Sequence, residues 1–327
     1  MASPNGQRGR PQRFSEAALQ TCLTFKVLLG FPLRQTIGFV SSLLSLSGLD
    51  WPVPDYTTLC RRQKMLNVKI PYRTGGGALH LLIDSTGIKM MGEGEWKRRK
   101  HGPSYRRQWR KLHLGIDADT LDIRAIEVSD NRTGDAPVLS QLLAQIPEDE
   151  QIGAVSGDGA YDTRACHDAI AGRSASAVIP VRRNAKPWKD TSPGARARNE
   201  ALKATRRLGR TIWKKWSGYH RRSLAETKMH CFKLLCGKVL ARTFDRQVNE
   251  LKICAAILNR FAQTGTPVTV RVPQPRTLPA STSPSSTFMQ QSHSETWQSP
   301  VRPASGRRNP GRCRERLRFP PVVPARE

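Results

Sequence analysis

Three consecutive glycines, Gly75, Gly76 and Gly77, divide this chain between two hydrophobic rhythms. Before them apolar residues recur at helical spacing; after them they alternate or come in short blocks, as strands do. His80-Leu81-Leu82-Ile83 is such a block and ends in Asp84, Leu112 to Ile116 alternates and ends near Asp117, and Ile123 to Val128 alternates again. These runs predict three sequential, antiparallel strands. A helix around Val138 to Ile146, a strand from Ile152 to Val155 that ends at Asp158, a helix from Thr163 to Ala171 and a strand from Ala177 to Val181 follow. Strands joined by crossover helices imply an α/β fold, a mixed sheet with helices on its faces.

Ahead of the glycines, Ser15 can cap a helix that runs to about Leu29, and a second follows Pro32 as far as Gly48. A third begins after Pro54, with Asp55 as its cap, Tyr56 and Leu59 on its inner face and Arg61, Arg62 and Lys64 on its outer one. Three such helices over 15–74 read as an all-α, helix-turn-helix-like DNA-binding domain or as a small bundle with a solvated basic face. A second domain spans 75–266. Residues 1–14, with Arg8-Gly9-Arg10-Pro11, read as a basic disordered arm. The stretch 267–327, where Pro, Ser, Thr and Arg dominate and no lysine appears, reads as a disordered low-complexity tail.

Charge indicates the partner. With 54 Lys+Arg against 26 Asp+Glu and a net charge of +28, the chain is a poor fit to an ordinary enzyme of small molecules and a good one to a polyanion. Two basic insertions interrupt the strand pattern, 96–111 between Trp96 and Trp109, and 182–216 among Trp188, Trp213 and Trp216. Positive charge interleaved with aromatic rings holds phosphates and stacks displaced bases. Trp96, Arg98, Arg99, Arg107 and Lys111, with Arg61 and Arg62, are therefore candidate DNA contacts, and a solvated charge run is the competing reading. No apolar run reaches about 18 residues, so no membrane partner is expected. No apolar leader precedes Phe14, which predicts a cytoplasmic, nucleoid-associated protein. The seven cysteines are scattered without a C-x-x-C pair, so neither disulfides nor structural zinc are expected.

The stretch from Tyr219 to Leu235 carries the chemistry. On one continuous α-helix Tyr219, Arg222, Glu226 and Lys233 fall within an arc of roughly 60°, opposite Leu224, Cys231, Phe232 and Leu235. A carboxylate flanked by two cations and a phenol suits metal and phosphate. Phosphoryl transfer without a covalent enzyme intermediate uses two divalent cations about 3.5 to 4 Å apart, and three carboxylates suffice to hold them. Asp84 and Asp158, both read at strand ends, can converge with Glu226. Other acids have local readings: Asp162 as an N-cap, Asp117, Asp119 and Asp122 as turn residues. His113 reads as structural.

The Tyr-x2-Arg-x3-Glu-x6-Lys spacing, together with Leu82-Ile83-Asp84-Ser85-Thr86-Gly87 and Asp158-Gly159-Ala160-Tyr161-Asp162, resembles the DDE transposases of bacterial insertion sequences, above all the insertion-sequence-five group. The resemblance runs from about Ser15 to Thr266. It implies a ribonuclease H-like core, double-stranded DNA as partner at transposon ends and target, and metal-dependent strand cleavage followed by strand transfer. It also implies self-association in a synaptic complex. By matching motif positions, Asp84, Asp158 and Glu226 are the expected catalytic, metal-binding triad for two Mg²⁺ ions, with Mn²⁺ as a substitute, and Tyr219, Arg222 and Lys233 contact phosphates. Against the family pattern the chain starts late and runs on for about sixty residues past Thr266. That leaves two alternatives open, a catalytically inactive DNA-binding product of a decayed element and a structure-selective nuclease on the same core.

Overall fold

Local chemistry sets the first three helices. In a computed structural model that describes residues 13–90 and 109–265, Ser15 accepts the Ala18 amide at the start of α1 (Glu16–Leu29) and Gly30 ends it in the left-handed conformation. After Pro32 comes α2 (Leu33–Leu46), and Asp55 caps α3 (Tyr56–Arg62) by accepting the Thr57 amide. Leu19, Leu23, Val40 and Leu59 bury a common core between them. Parts of the sequence reading lie outside the described residues: the arm as far as Gln12, the segment 91–108 with Trp96, Arg98, Arg99 and Arg107, and the tail from residue 266.

Within the described residues six strands form one mixed sheet in the order β3-β2-β1-β4-β5, with β6 also beside β1. The strands are β1 (Leu79–Met90), β2 (Trp109–Asp117), β3 (Ile123–Asp130), β4 (Ile152–Ser156), β5 (Ser176–Val178) and β6 (Lys238–Val239). The first three pair antiparallel as read from sequence, while β4 lies parallel to β1 and β5 parallel to β4. Three antiparallel strands continued by parallel ones with crossover helices make the mixed α/β sheet that the sequence pattern implied, in the ribonuclease H-like form that the resemblance implied.

The side chains of β1 alternate between two cores, as a pleated strand requires. Leu79, Leu81 and Ile83 face one side, covered by α4 (Leu139–Ala144) and α5 (Arg164–Gly172). Leu82 and Ile88 face the other, covered by α8 (Ser223–Leu235) and α9 (Phe244–Thr264). Between β5 and α8 the basic segment 182–216 folds into α6 (Pro193–Leu208) and α7 (Arg210–Trp216). The longest helix, α9, also serves the front of the chain: Ile253 and Ile257 complete the core of α1–α3. From the same helix Asn249 Nδ2 and Arg246 Nε donate to the carbonyls of Gln63 and Cys60, which a short helix leaves open at its end.

Four local readings are corrected. Asp84 is not at a strand end but in the middle of β1, because pairing with β2 continues to Lys89 and Trp109. Thr163, not Asp162, caps α5, its side chain accepting the Cys166 amide. Tyr219 to Arg222 form a 3-10 turn that leads into α8, so the four signature residues do not share one continuous α-helix. Finally, Cys236 and Cys254 are joined by a disulfide, since the end of α8 lies against α9 at a Cα separation of 6.4 Å.

Candidate active site

Strand register brings the first two carboxylates together. The parallel pairing of β1 with β4 ends at Leu82 and Ser156, and two residues further along each chain stand Asp84 and Asp158. Asp84 keeps the parity of Leu82 along β1, so it faces the side that α8 covers. Asp158 turns out of β4 and caps a 3-10 turn (Gly159–Tyr161), its Oδ1 accepting the Ala160 amide at 2.9 Å. Burial and the neighbouring Asp158 charge raise the Asp84 pKa above the ordinary value; Arg222 and the Ser85 amide work against them.

The third carboxylate reaches this pair through an arginine. Arg222 Nη2 donates to Asp84 Oδ1 and Nη1 donates to Glu226 Oε1, each at 3.2 Å. Ala225, Met229 and Phe232 of α8 are buried against the sheet, which fixes Glu226 in the helix's first turn at the edge of the site. The side chains of Asp84 and Arg222 are 16% and 19% exposed against 64% for Glu226, so the acid on the helix is the solvent-facing member. Tyr219 is half-buried beside Arg222, with its pKa raised chiefly by burial. Arg221, next in the turn, pairs with Asp119 and donates to the Ala118 carbonyl, which docks the turn onto the end of β2.

The donor set matches a hard divalent cation, for which carboxylate oxygens are the usual ligands. Asp84, Asp158 and Glu226 each have one oxygen engaged, and among the described residues the other oxygen of each accepts no hydrogen bond. Among the described residues no three carboxylate, histidine or cysteine side chains already meet at one point, because the Arg222 guanidinium stands between Glu226 and Asp84.

Two residues passed over in the sequence lie close to this site, on the face of the sheet opposite Asp84. Asp135 lies 3.0 Å from Lys111 Nζ and 3.5 Å from His113 Nδ1, and Ser85 with the Lys111 ammonium lowers its pKa despite burial. Tyr161 is 2% exposed, its hydroxyl has no hydrogen-bond partner among the described residues, and its pKa is pushed up first by burial and then by Asp135, Asp158 and Asp84. Only the Asn131-Arg132-Thr133-Gly134 turn preceding Asp135 hinted at a loop there. His113 is fully buried against Ser129, with its pKa pushed down to about 4, chiefly by burial.

The basic candidates separate by surroundings. Lys233 and Arg61 are exposed and Arg62 is half-buried, with Arg61 Nε near the Thr57 carbonyl at 3.4 Å. Lys111 is committed to Asp135 and to the Thr133 carbonyl, so it is turned inward rather than toward solvent. Of the tryptophans in 182–216, Trp213 is 3% exposed and Trp188 stacks on Arg198 at 4.2 Å, while Trp216 is 75% exposed.

Two matches to known families cover most of the chain, both described as Transposase DDE domain, one over residues 1–93 and one over residues 75–260. A chain of the cryo-EM structure of the simian T-cell lymphotropic virus intasome in complex with PP2A regulatory subunit B56 gamma is 14% identical, with a TM-score of 0.23 over 76% of this chain and 79% of that one. A likeness that slight carries no argument. The second family match spans the whole sheet, all of α8 and most of α9. The chain belongs to the DDE transposase family.

Proposed function

We propose that this chain binds the terminal inverted repeats of a bacterial insertion sequence of the insertion-sequence-five group, cuts a DNA strand at the repeat boundary and transfers the end to target DNA. Asp84, Asp158 and Glu226 are the ligands of two Mg²⁺ ions in this reading, with Mn²⁺ able to replace them. The register that sets Asp84 beside Asp158 is the observation that carries it. Divalent ions held by carboxylates stabilise the charge on the attacking and leaving oxygens of a phosphodiester. Asp84, partly buried, supplies a carboxylate that gains from a cation, because burial otherwise disfavours its charge. Lys233 and Tyr219 hold the phosphates on either side, and the basic surface from Arg61 and Arg62 onward supplies the affinity that depends on salt. The helices of 15–74 read the repeat, and copies of the chain pair to bring two ends together in the bacterial cytoplasm, on the nucleoid.

The test is cleavage of a labelled duplex that carries the host element's terminal repeat, in Mg²⁺, Mn²⁺ or EDTA, by the full chain and by Asp84→Asn. Nicking at the repeat boundary that disappears in EDTA and in the variant is the expected result. Binding without nicking would identify a DNA-binding product that has lost catalysis, and preference for branched DNA over the repeat would identify a structure-selective nuclease.

A further inference from the structure

We propose that Arg222 is an exchangeable counterion: it competes with divalent cations for Asp84 and Glu226, and on release it turns to a DNA phosphate, so that cation and DNA strengthen each other's binding. The inference rests on the metal-site reading above.

Arg222 lies between two carboxylates without gripping either. Each of its terminal nitrogens reaches a different acid, at 3.2 Å in both cases, and the two-point fork that makes arginine–carboxylate pairs tight is not formed with Asp84 or with Glu226. Its third nitrogen, Nε, is buried and has no hydrogen-bond partner among the described residues. A buried donor left unmatched makes this position a compromise. Burial works against the guanidinium charge, and Asp84, Tyr219 and Asp158 more than offset it, so the arginine is held by the summed field of the acidic corner.

A doubly charged cation on the same carboxylates removes that field. The second oxygens of Asp84, Asp158 and Glu226, which accept no hydrogen bond among the described residues, remain available to such a cation, and a guanidinium within hydrogen-bond reach of two of the three acids is then repelled. Arg222 sits at the joint between the 3-10 turn and α8, beside Tyr219 and at the partly exposed rim, where a phosphate offers its fork the two-point contact that the carboxylates do not. Linkage makes the coupling reciprocal: whatever factor DNA adds to cation affinity, the cation adds to DNA affinity. A fixed crossbrace between β1 and α8 would show no such coupling.

The experiment measures Mn²⁺ binding by the electron paramagnetic resonance signal of free Mn²⁺, with and without a mixed-sequence duplex at low salt. It uses the full chain, Arg222→Ala, Arg222→Lys and Asp84→Asn, each confirmed folded by circular dichroism. The wild type should bind Mn²⁺ about tenfold more tightly when DNA is present. Arg222→Ala should bind Mn²⁺ about tenfold more tightly than wild type without DNA and gain little from DNA. Arg222→Lys, which keeps the charge, should stay within about threefold of wild type. Unchanged Mn²⁺ affinity and unchanged coupling in Arg222→Ala would overturn the proposal, as would a lysine variant that binds as tightly as the alanine one. If Asp84→Asn binds Mn²⁺ as the wild type does, it is the metal-site reading itself that fails.

Discussion

The Arg198 guanidinium holds Asp162 through two nitrogens, Nε at 3.1 Å from Oδ1 and Nη2 at 3.3 Å from Oδ2, with both side chains almost sealed from water. Arg198 Nη1 also donates to the Lys186 carbonyl at 2.6 Å, and the Arg182 amide donates to Asp162. One buried pair thus ties the whole basic segment 182–208 to the end of the sheet. Replacing Arg198 by Met should cost about 3 to 5 kcal/mol, because it strands a buried carboxylate. Urea denaturation measures it, and a loss under about 1 kcal/mol would show that water reaches Asp162.

The same aspartate gives a pH signature. Burial opposes its charge, but the His167 ring beside it and hydrogen bonds from Arg198 and the Arg182 backbone outweigh burial and hold its pKa well below the usual carboxylate range. A depressed folded pKa contributes stability that is fully present above the unfolded value and is lost as pH falls through the folded one. Acid unfolding below about pH 4 should therefore be less steep in Asp162→Asn than in wild type, once the overall loss of stability is allowed for.

Tyr161→Phe removes only the unpartnered, buried hydroxyl. Stability should be unchanged or higher by up to about 1 kcal/mol, since a polar atom without a partner costs more buried than absent. A drop in Tm would mean that the hydroxyl finds a water inside the protein.

Gly194 lies at the start of α6, where a Cβ would come within 2.5 Å of the His167 carbonyl carbon and 2.6 Å of the Asp168 amide nitrogen. Backbone cannot yield as a side-chain tip can, so Gly194→Ala should destabilise by about 1 to 3 kcal/mol. Hydrogen exchange should quicken first along 193–208, and protection equal to wild type there would contradict the close approach of α5 and α6.

Glu226→Gln should abolish cleavage at the repeat boundary while leaving DNA affinity measured in EDTA close to wild type, because the substitution removes a ligand charge and leaves the exposed cations in place. Lys233→Ala should do the converse, weakening DNA binding across sequences and lowering its salt slope by about one unit. A filter-binding series over salt concentration reads the second, and an unchanged slope would place Lys233 away from the phosphates.

What could be read from sequence was what neighbours in sequence decide. Ser15 and Asp55 cap their helices through amides two or three residues away, and the strand cores came from alternation within eight or nine residues. Asp84 was misjudged because the length of β1 is set by β2, whose first residue, Trp109, lies beyond a segment of irregular composition. That Arg222 stands between Asp84 and Glu226 was not legible, because spacing along a helix says which side chains share a face and nothing about what stands opposite. The Asp135 and Tyr161 corner, like the bond between Cys236 and Cys254, depends on contacts that only the fold creates.

The helix α9 turns Leu251, Cys254, Ala255 and Leu258 toward the sheet and Ile253 and Ile257 toward the front helices. Over its 21 residues it is a rod about 30 Å long, wedged between two layers that each need it to close. A shift of the front helices is therefore felt first along β3 and the Leu251–Leu258 face of α9, which pack on the same core as Leu82. Cutting the backbone at 63–78 would not set the front helices adrift, because their keel is a helix some 180 residues further along the chain.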